Sequence, residues 1–110
     1  MEARKVDENL LNDVVQRILS VTQPDKIILF GSYARGDAKE DSDLDILIIQ
    51  SSNLPRCDRS IPIRIILSDI PISKDIIVYT PEEVEEWKTA SMSFIVAALR
   101  EGKILYEKQQ

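Results

Sequence analysis

Histidine is absent from the 110 residues, and cysteine occurs once, as Cys57. Those gaps exclude Ser-His and Cys-His nucleophilic schemes, histidine-ligated zinc and any intrachain disulfide. A lone thiol fits a reducing compartment, and Cys57 reads as a loop residue without chemistry. Positive charge is also scarce: 14 Lys and Arg against 19 Asp and Glu leave a net charge of -5, with a pI near 4.7. A global basic footprint is missing, which argues against a template-using polymerase or a non-specific RNA binder, though a local basic patch stays open. No apolar run approaches the ~20 residues of a membrane-spanning helix, and no apolar signal core stands at the N-terminus. A cytoplasmic protein is expected, with no membrane partner.

What is present is a hydrophobic share of 44%, much of it isoleucine and valine, which favours buried strands. Residues 1–110 should form a single domain around one core, without a second substrate-binding module. Leu10, Leu11, Val14, Val15, Ile18 and Leu19 recur at helical spacing, so a helix is predicted over about 8–22, capped by Asp7. Lys26 to Phe30 reads as a buried strand, and a short helix follows through Tyr33, Ala34 and Arg35, ending near Gly36. Asp43 to Ile49 reads as a central strand, apolar on both faces after a polar start. Residues 51–59 read as an exposed loop. Ile61, Ile63, Ile65 and Leu67 alternate like a strand, while Pro62 suits a first helical turn. Asp75 to Tyr79 is a third strand. Thr80-Pro81-Glu82-Glu83 is a strong helix start, with Glu82, Glu83, Glu85 and Glu86 on a solvated face. Phe94, Ile95, Ala98 and Leu99 continue a helix that Gly102 closes, and Ile104 to Tyr106 adds a short edge strand.

The most informative stretch joins the first two strands. Gly31-Ser32 leaves one strand, and Asp43-x-Asp45 opens the next after ten intervening residues. Alternate residues on a strand share a face, so Asp43 and Asp45 should project side by side. Two like charges that close are unfavourable unless a cation sits between them. Carboxylate oxygens suit Mg²⁺, which keeps waters and takes substrate phosphates as further ligands. The Gly31-Ser32 turn can offer backbone N–H groups and a hydroxyl to phosphate oxygens. Arg35, one turn into the short helix, is a candidate charge-assisted donor to a triphosphate, although a surface ion pair would explain it as well. Paired carboxylates alone could be the solvated start of a strand. With a phosphate turn at this separation they point to metal-dependent phosphoryl or nucleotidyl transfer.

Other motifs fail on this stretch. Gly31-x-x-x-x-Gly36 has P-loop spacing, but Asp37 and Ala38 stand where a lysine and a hydroxyl residue are needed. Asp41-x-Asp43-x-Asp45 begins like an EF-hand, but Ile46 takes the glycine place and Ser52 that of the glutamate.

Ile28-Leu29-Phe30-Gly31-Ser32-Tyr33-Ala34-Arg35-Gly36 followed by Ser42-Asp43-Leu44-Asp45-Ile46-Leu47-Ile48 resembles the minimal nucleotidyltransferases of the polymerase β superfamily, the MNT type often found beside a HEPN-domain partner. The resemblance extends through Thr80 to Trp87 and Glu101 to Glu107. It implies a nucleotidyltransferase fold of the α/β (α+β) class, a small mixed β-sheet backed by helices, with a helix rather than a strand over 61–67. It also implies a third carboxylate, matched by Asp75, which joins Asp43 and Asp45 as a metal ligand and accepts the proton of the attacking hydroxyl. A bland strand start would explain Asp75 too. By the same resemblance the cofactor is Mg²⁺ or Mn²⁺, and AMP passes from ATP to a hydroxyl acceptor.

No extra domain to hold an acceptor is expected in these 110 residues, so another polypeptide is expected to present it. By family resemblance that is a HEPN-type toxin whose tyrosine is adenylylated, which makes this chain an antitoxin. Two rivals stand beside this reading: a binding antitoxin without turnover, and the catalytic subunit of a small-molecule nucleotidyltransferase of the aminoglycoside-modifying kind. No direct nucleic-acid partner is expected, and a homo-oligomer stays open.

Overall fold

The computed structural model describes residues 6–88 and 94–109. Four strands form one sheet in the order β3-β2-β1-β4. They are β1 (Lys26–Phe30), β2 (Leu44–Ile49), β3 (Lys74–Tyr79) and β4 (Lys103–Glu107). β2 and β3 run parallel, while β1 is antiparallel to both β2 and β4. The sheet is therefore mixed, as expected. Asp43 lies just before β2 rather than on it, since the ladder starts at Leu44.

Helix α1 (Glu8–Val21) starts where Asp7 Oδ1 accepts the Leu10 N–H at 2.9 Å. Its buried stripe of Leu10, Val14, Val15 and Ile18 packs on one sheet face with Ile27, Leu29, Leu44, Ile46, Ile48, Ile76 and Val78. Arg17 ties α1 to the far side of that core, donating to the Ile66 carbonyl at 3.2 Å and to the carboxylates of Asp13 and Asp69. The ambiguous segment is helical, as α4 (Ile61–Ile66). Pro62 sits in its first turn, where a missing N–H costs nothing, and Ile63 and Leu67 reach the same core.

The other face carries a second cluster of Ile28, Leu47, Ile49, Tyr79, Val84, Ile95 and Ala98. It is covered by α5 (Pro81–Lys88) and α6 (Phe94–Glu101). Whether one helix runs through 89–93 lies outside the described residues. Thr80 and Glu83 close a full capping box: Glu83 Oε1 accepts the Thr80 N–H at 2.8 Å, and Thr80 Oγ1 accepts the Glu83 N–H at 3.2 Å. Gly102 follows α6 and donates to the Ala98 carbonyl at 2.8 Å. Its φ is not positive, so it closes the helix by giving clearance: a Cβ there would press on Ile28 and Ala98.

Two expectations need correction. Residues 51–59 are not all loop, because Arg56–Arg59 form a one-turn helix, α3, on which Cys57 is exposed. Arg59 fixes that turn, donating Nε to the Leu54 carbonyl at 2.9 Å and Nη1 to Glu83 Oε1 at 2.6 Å. Glu83 in turn is half-buried rather than solvated. Burial alone would raise its carboxyl, but Arg59, the Thr80 backbone and Arg56 outweigh that and hold it below its ordinary value. No described helix is long and apolar enough to cross a membrane.

Candidate active site

The sheet topology brings the scattered carboxylates to one end of the α5/α6 face. In the parallel β2–β3 register Asp45 lies opposite Asp75, and in the antiparallel β1–β2 register it lies opposite Phe30. Residues in register share a face, so Phe30, Asp45 and Asp75 form one row across three strands. Gly31 follows directly, at the tip of β1.

Gly31 adopts φ 75° and ψ -156°, a region open to glycine and strained for other residues. A second reason for glycine comes from across the sheet. A Cβ there would land on Asp45 Oδ2 and stand 3.1 Å from Asp45 Cγ. The missing side chain therefore makes room for the carboxylate as well as for any phosphate. The short helix α2 (Ser32–Arg35) springs from this turn, with the Ala34 and Arg35 N–H groups both 3.1 Å from the Gly31 carbonyl. Gly36 ends it in the left-handed conformation, φ 85°, as expected of a helix-closing glycine.

Gly31, Ser32, Arg35 and Asp45 line one cleft of about 360 Å³, together with Phe30 and with Ala97, Ala98 and Glu101 from α6. That volume is enough for a small ligand. The α6 wall was not foreseen. Helical spacing puts Ala97 and Glu101 on one side of α6, but nothing local says that this side faces the cleft. Arg35 is the sole cation lining this cleft among the described residues. It is half-exposed, and its Nε donates to Asp37 Oδ2 at 3.3 Å, so the ion-pair reading and the cleft position hold together. A hollow of about 420 Å³ lies at the opposite end of the same face, between Lys26, Pro81, Lys88 and Glu107. It has neither the glycine turn nor the carboxylate row.

Electrostatics single out Asp45. Burial raises its carboxyl above the ordinary carboxylate value, and the charges of Asp75 and Asp43 raise it further, while Arg35 opposes them. An anion held unfavourably by two like charges is relieved by a divalent cation between them. The donor set is hard oxygen, which fits Mg²⁺ or Mn²⁺. Among the described residues no three acidic or cysteine side chains form a ready cage for an ion. The remaining ligands would have to be waters and phosphate oxygens, the arrangement Mg²⁺ favours.

With this geometry in view, the comparisons with known proteins converge. The polymerase β nucleotidyltransferase family profile matches residues 12–110. The chain belongs to that family. A Methanocaldococcus jannaschii relative named "Putative protein adenylyltransferase MJ0604" is 39% identical over 83 residues, covering 74% of this chain and 77% of the relative. The fold is shared with a toxin-antitoxin crystal structure containing AMP-PNP, at 22% identity and a TM-score of 0.65, covering 91% of this chain and 75% of that one. It is shared also with a crystal structure described as a putative nucleotidyltransferase from Sulfolobus solfataricus, at 22% identity and a TM-score of 0.63, covering 91% and 79%. Nucleotidyl transfer is the reaction class of the family, and the nucleotidyltransferase fold expected from the sequence is the fold observed.

Proposed function

We propose that the chain transfers AMP from ATP to a hydroxyl on a partner protein, most specifically a tyrosine of a HEPN-type toxin, and so acts as an antitoxin. The observation that carries this reading is the row of Asp45 and Asp75 in register beside a glycine turn that has no room for a side chain. The adenylyltransferase name of the relative and the AMP-PNP in the toxin-antitoxin neighbour support it.

In this reading the Gly31 turn, the Ser32 hydroxyl and Arg35 bind and orient the triphosphate. Asp43 and Asp45 hold the divalent ion, with Asp75 completing the set. When bound, the ion supplies charge neutralisation at the attacking and leaving oxygens of an in-line displacement. Asp75 faces outward on the edge strand, which suits it to accept the proton of an incoming hydroxyl. The acceptor oxygen bonds to the α-phosphorus, the bond from that phosphorus to the bridging oxygen breaks, and pyrophosphate leaves.

Incubating the chain with Mg²⁺, labelled ATP and the protein encoded beside it should place adenylate on that neighbour, located on a tyrosine by mass spectrometry. Asp75→Asn should keep ATP binding and slow labelling by about 10²–10⁴-fold, as for a lost general base. Complete inhibition of an unlabelled neighbour would overturn transfer in favour of plain binding. A labelled small molecule in place of the protein would move the acceptor to the aminoglycoside class.

A further inference from the structure

We propose that the surface formed by α3, α4 and the open edge of β3 is the acceptor-docking surface, and that it takes an acidic, partly apolar segment of the partner protein. The inference rests on the protein-acceptor reading above and adds where the acceptor binds and what chemistry it carries.

A groove runs along the outer edge of β3, lined by Arg56, Arg59 and Arg64 and by Asp75. Asp75 thus stands at a junction, with Asp45 across the sheet on one side and this groove on the other. An acceptor lying in the groove would arrive at the carboxylate assigned to its proton.

The three arginines are not equivalent. Arg59 is nearly buried (9% exposed) and occupied by Glu83 and by the Leu54 carbonyl. Its role is to hold α3. Arg56 is 52% exposed, lies 4.9 Å over the Tyr79 ring, and stands 3.8 Å from Glu83. Arg64 is exposed and reaches the Ile76 carbonyl only at 3.4 Å. Guanidiniums held in place by weak or partial contacts keep donors for a carboxylate. Residues 51–68 carry three arginines against one acid, Asp58, in a chain whose net charge is -5. The groove lining adds Asp75 and Glu83, of which Glu83 is taken by Arg59, so the cations with donors to spare are Arg56 and Arg64.

Apolar side chains flank it. Leu54 is 52% exposed, and Ile61 and Ile65, one turn apart on α4, are 48% and 67% exposed. Apolar residues beside arginine, with few acids or lysines, are the composition of interface centres. A nucleic acid would meet the same arginines but would gain nothing from the isoleucines.

The test uses the full chain and two short fluorescent peptides centred on tyrosine. One has glutamate and leucine as neighbours, and the other has lysine in place of each glutamate. Fluorescence anisotropy should show the glutamate peptide binding at least about tenfold more tightly at low salt, with the preference fading as salt rises. Arg56→Glu with Arg64→Glu should abolish or invert that preference, while Mg²⁺–ATP affinity and the circular dichroism spectrum stay unchanged. Equal binding of the two peptides, absence of binding by both, or an unaltered preference in the double variant would overturn the proposal. So would an oligoribonucleotide that binds as tightly as the glutamate peptide. If the wild-type chain binds no Mg²⁺–ATP, the transferase reading falls, whatever the peptides do.

Discussion

The two faces of this sheet are built from the same strands but carry different chemistry. On the α1/α4 face, β2 presents Leu44, Ile46 and Ile48, all inaccessible to solvent. On the α5/α6 face, the alternate residues are Asp45, Leu47 and Ile49. β3 repeats the pattern, with Ile76 and Val78 on the first face and Asp75, Ile77 and Tyr79 on the second. Stability is therefore concentrated where the face is apolar along its whole length. The other face is apolar at one end and gives up its last row to carboxylates. A charged row at the end of a strand, with water beside it, is far less costly than one at the centre of a core.

The largest effects should divide along that line. Ile46→Ala deletes a fully buried side chain and should cost about 2–5 kcal/mol of stability, a large part of what a small domain has. Asp43→Asn with Asp45→Asn should do the reverse: transfer is abolished, and the melting temperature of the metal-free protein holds or rises as like-charge repulsion disappears. Thermal denaturation and labelled-ATP transfer on the same three proteins check this. Metal-independent transfer by the double variant would remove the carboxylates from the site. A double variant that unfolds like Ile46→Ala would erase the division between faces.

A second contrast sets two carboxylates of the same face against each other through pH. Asp45 has its carboxyl raised, first by burial and then by Asp75 and Asp43. A raised carboxyl adds stability at acid pH and loses it as pH rises through the folded-state value. Asp45→Asn should therefore gain on the wild type at neutral pH, and the gap should close on acidification. Glu83 is lowered, because Arg59 and Thr80 overcome its burial. Its contribution is present at neutral pH and disappears as pH falls through the depressed folded-state value. Glu83→Gln should lose on the order of 1–2 kcal/mol at neutral pH, and again the gap should close in acid. The two variants deviate in opposite directions. Chemical denaturation from neutral pH down to acid reads both, and a shared sign would refute the assignments.

Much of this division could be read from the sequence, because it depends on spacing. Asp43 to Ile49 read as a central strand, polar on entry and then apolar on both faces, and Gly31-Ser32 at a fixed separation pointed to the candidate site. The capping box at Thr80 and Glu83 was legible for the same reason: its signature is local. What escaped was non-local. α3 is a single turn with no periodicity to detect, held by Arg59 reaching Leu54 and Glu83. Glu83 looked like one of a solvated run, since nothing local reveals an arginine 24 residues earlier. The second reason for Gly31 lies in Asp45, on the neighbouring strand. Sequence spacing also cannot show that α6 closes the cleft with Ala97 and Glu101.

The smallest expected effect tests how the glycine turn divides its work between backbone and side chain. Ser32 begins α2 directly after the Gly31 turn and lines the cleft, which puts its hydroxyl where a phosphate oxygen would lie. Removing it in Ser32→Ala deletes one donor and leaves the backbone as it was. The loss in Mg²⁺–ATP affinity should be about 0.5–1.5 kcal/mol if that bond is ordinary, and up to about 3 if phosphate charge strengthens it. Stability should barely change, because the hydroxyl is half-exposed. Gly31→Val is the opposite case. It strains a positive φ and drives a branched side chain into Asp45, so binding should disappear and the carboxylate should be displaced with it. Isothermal titration with Mg²⁺–ATP separates the two. If Ser32→Ala loses binding as completely as Gly31→Val, the hydroxyl rather than the backbone holds the phosphate. If both variants bind ATP at full affinity, the triphosphate lies outside the cleft altogether.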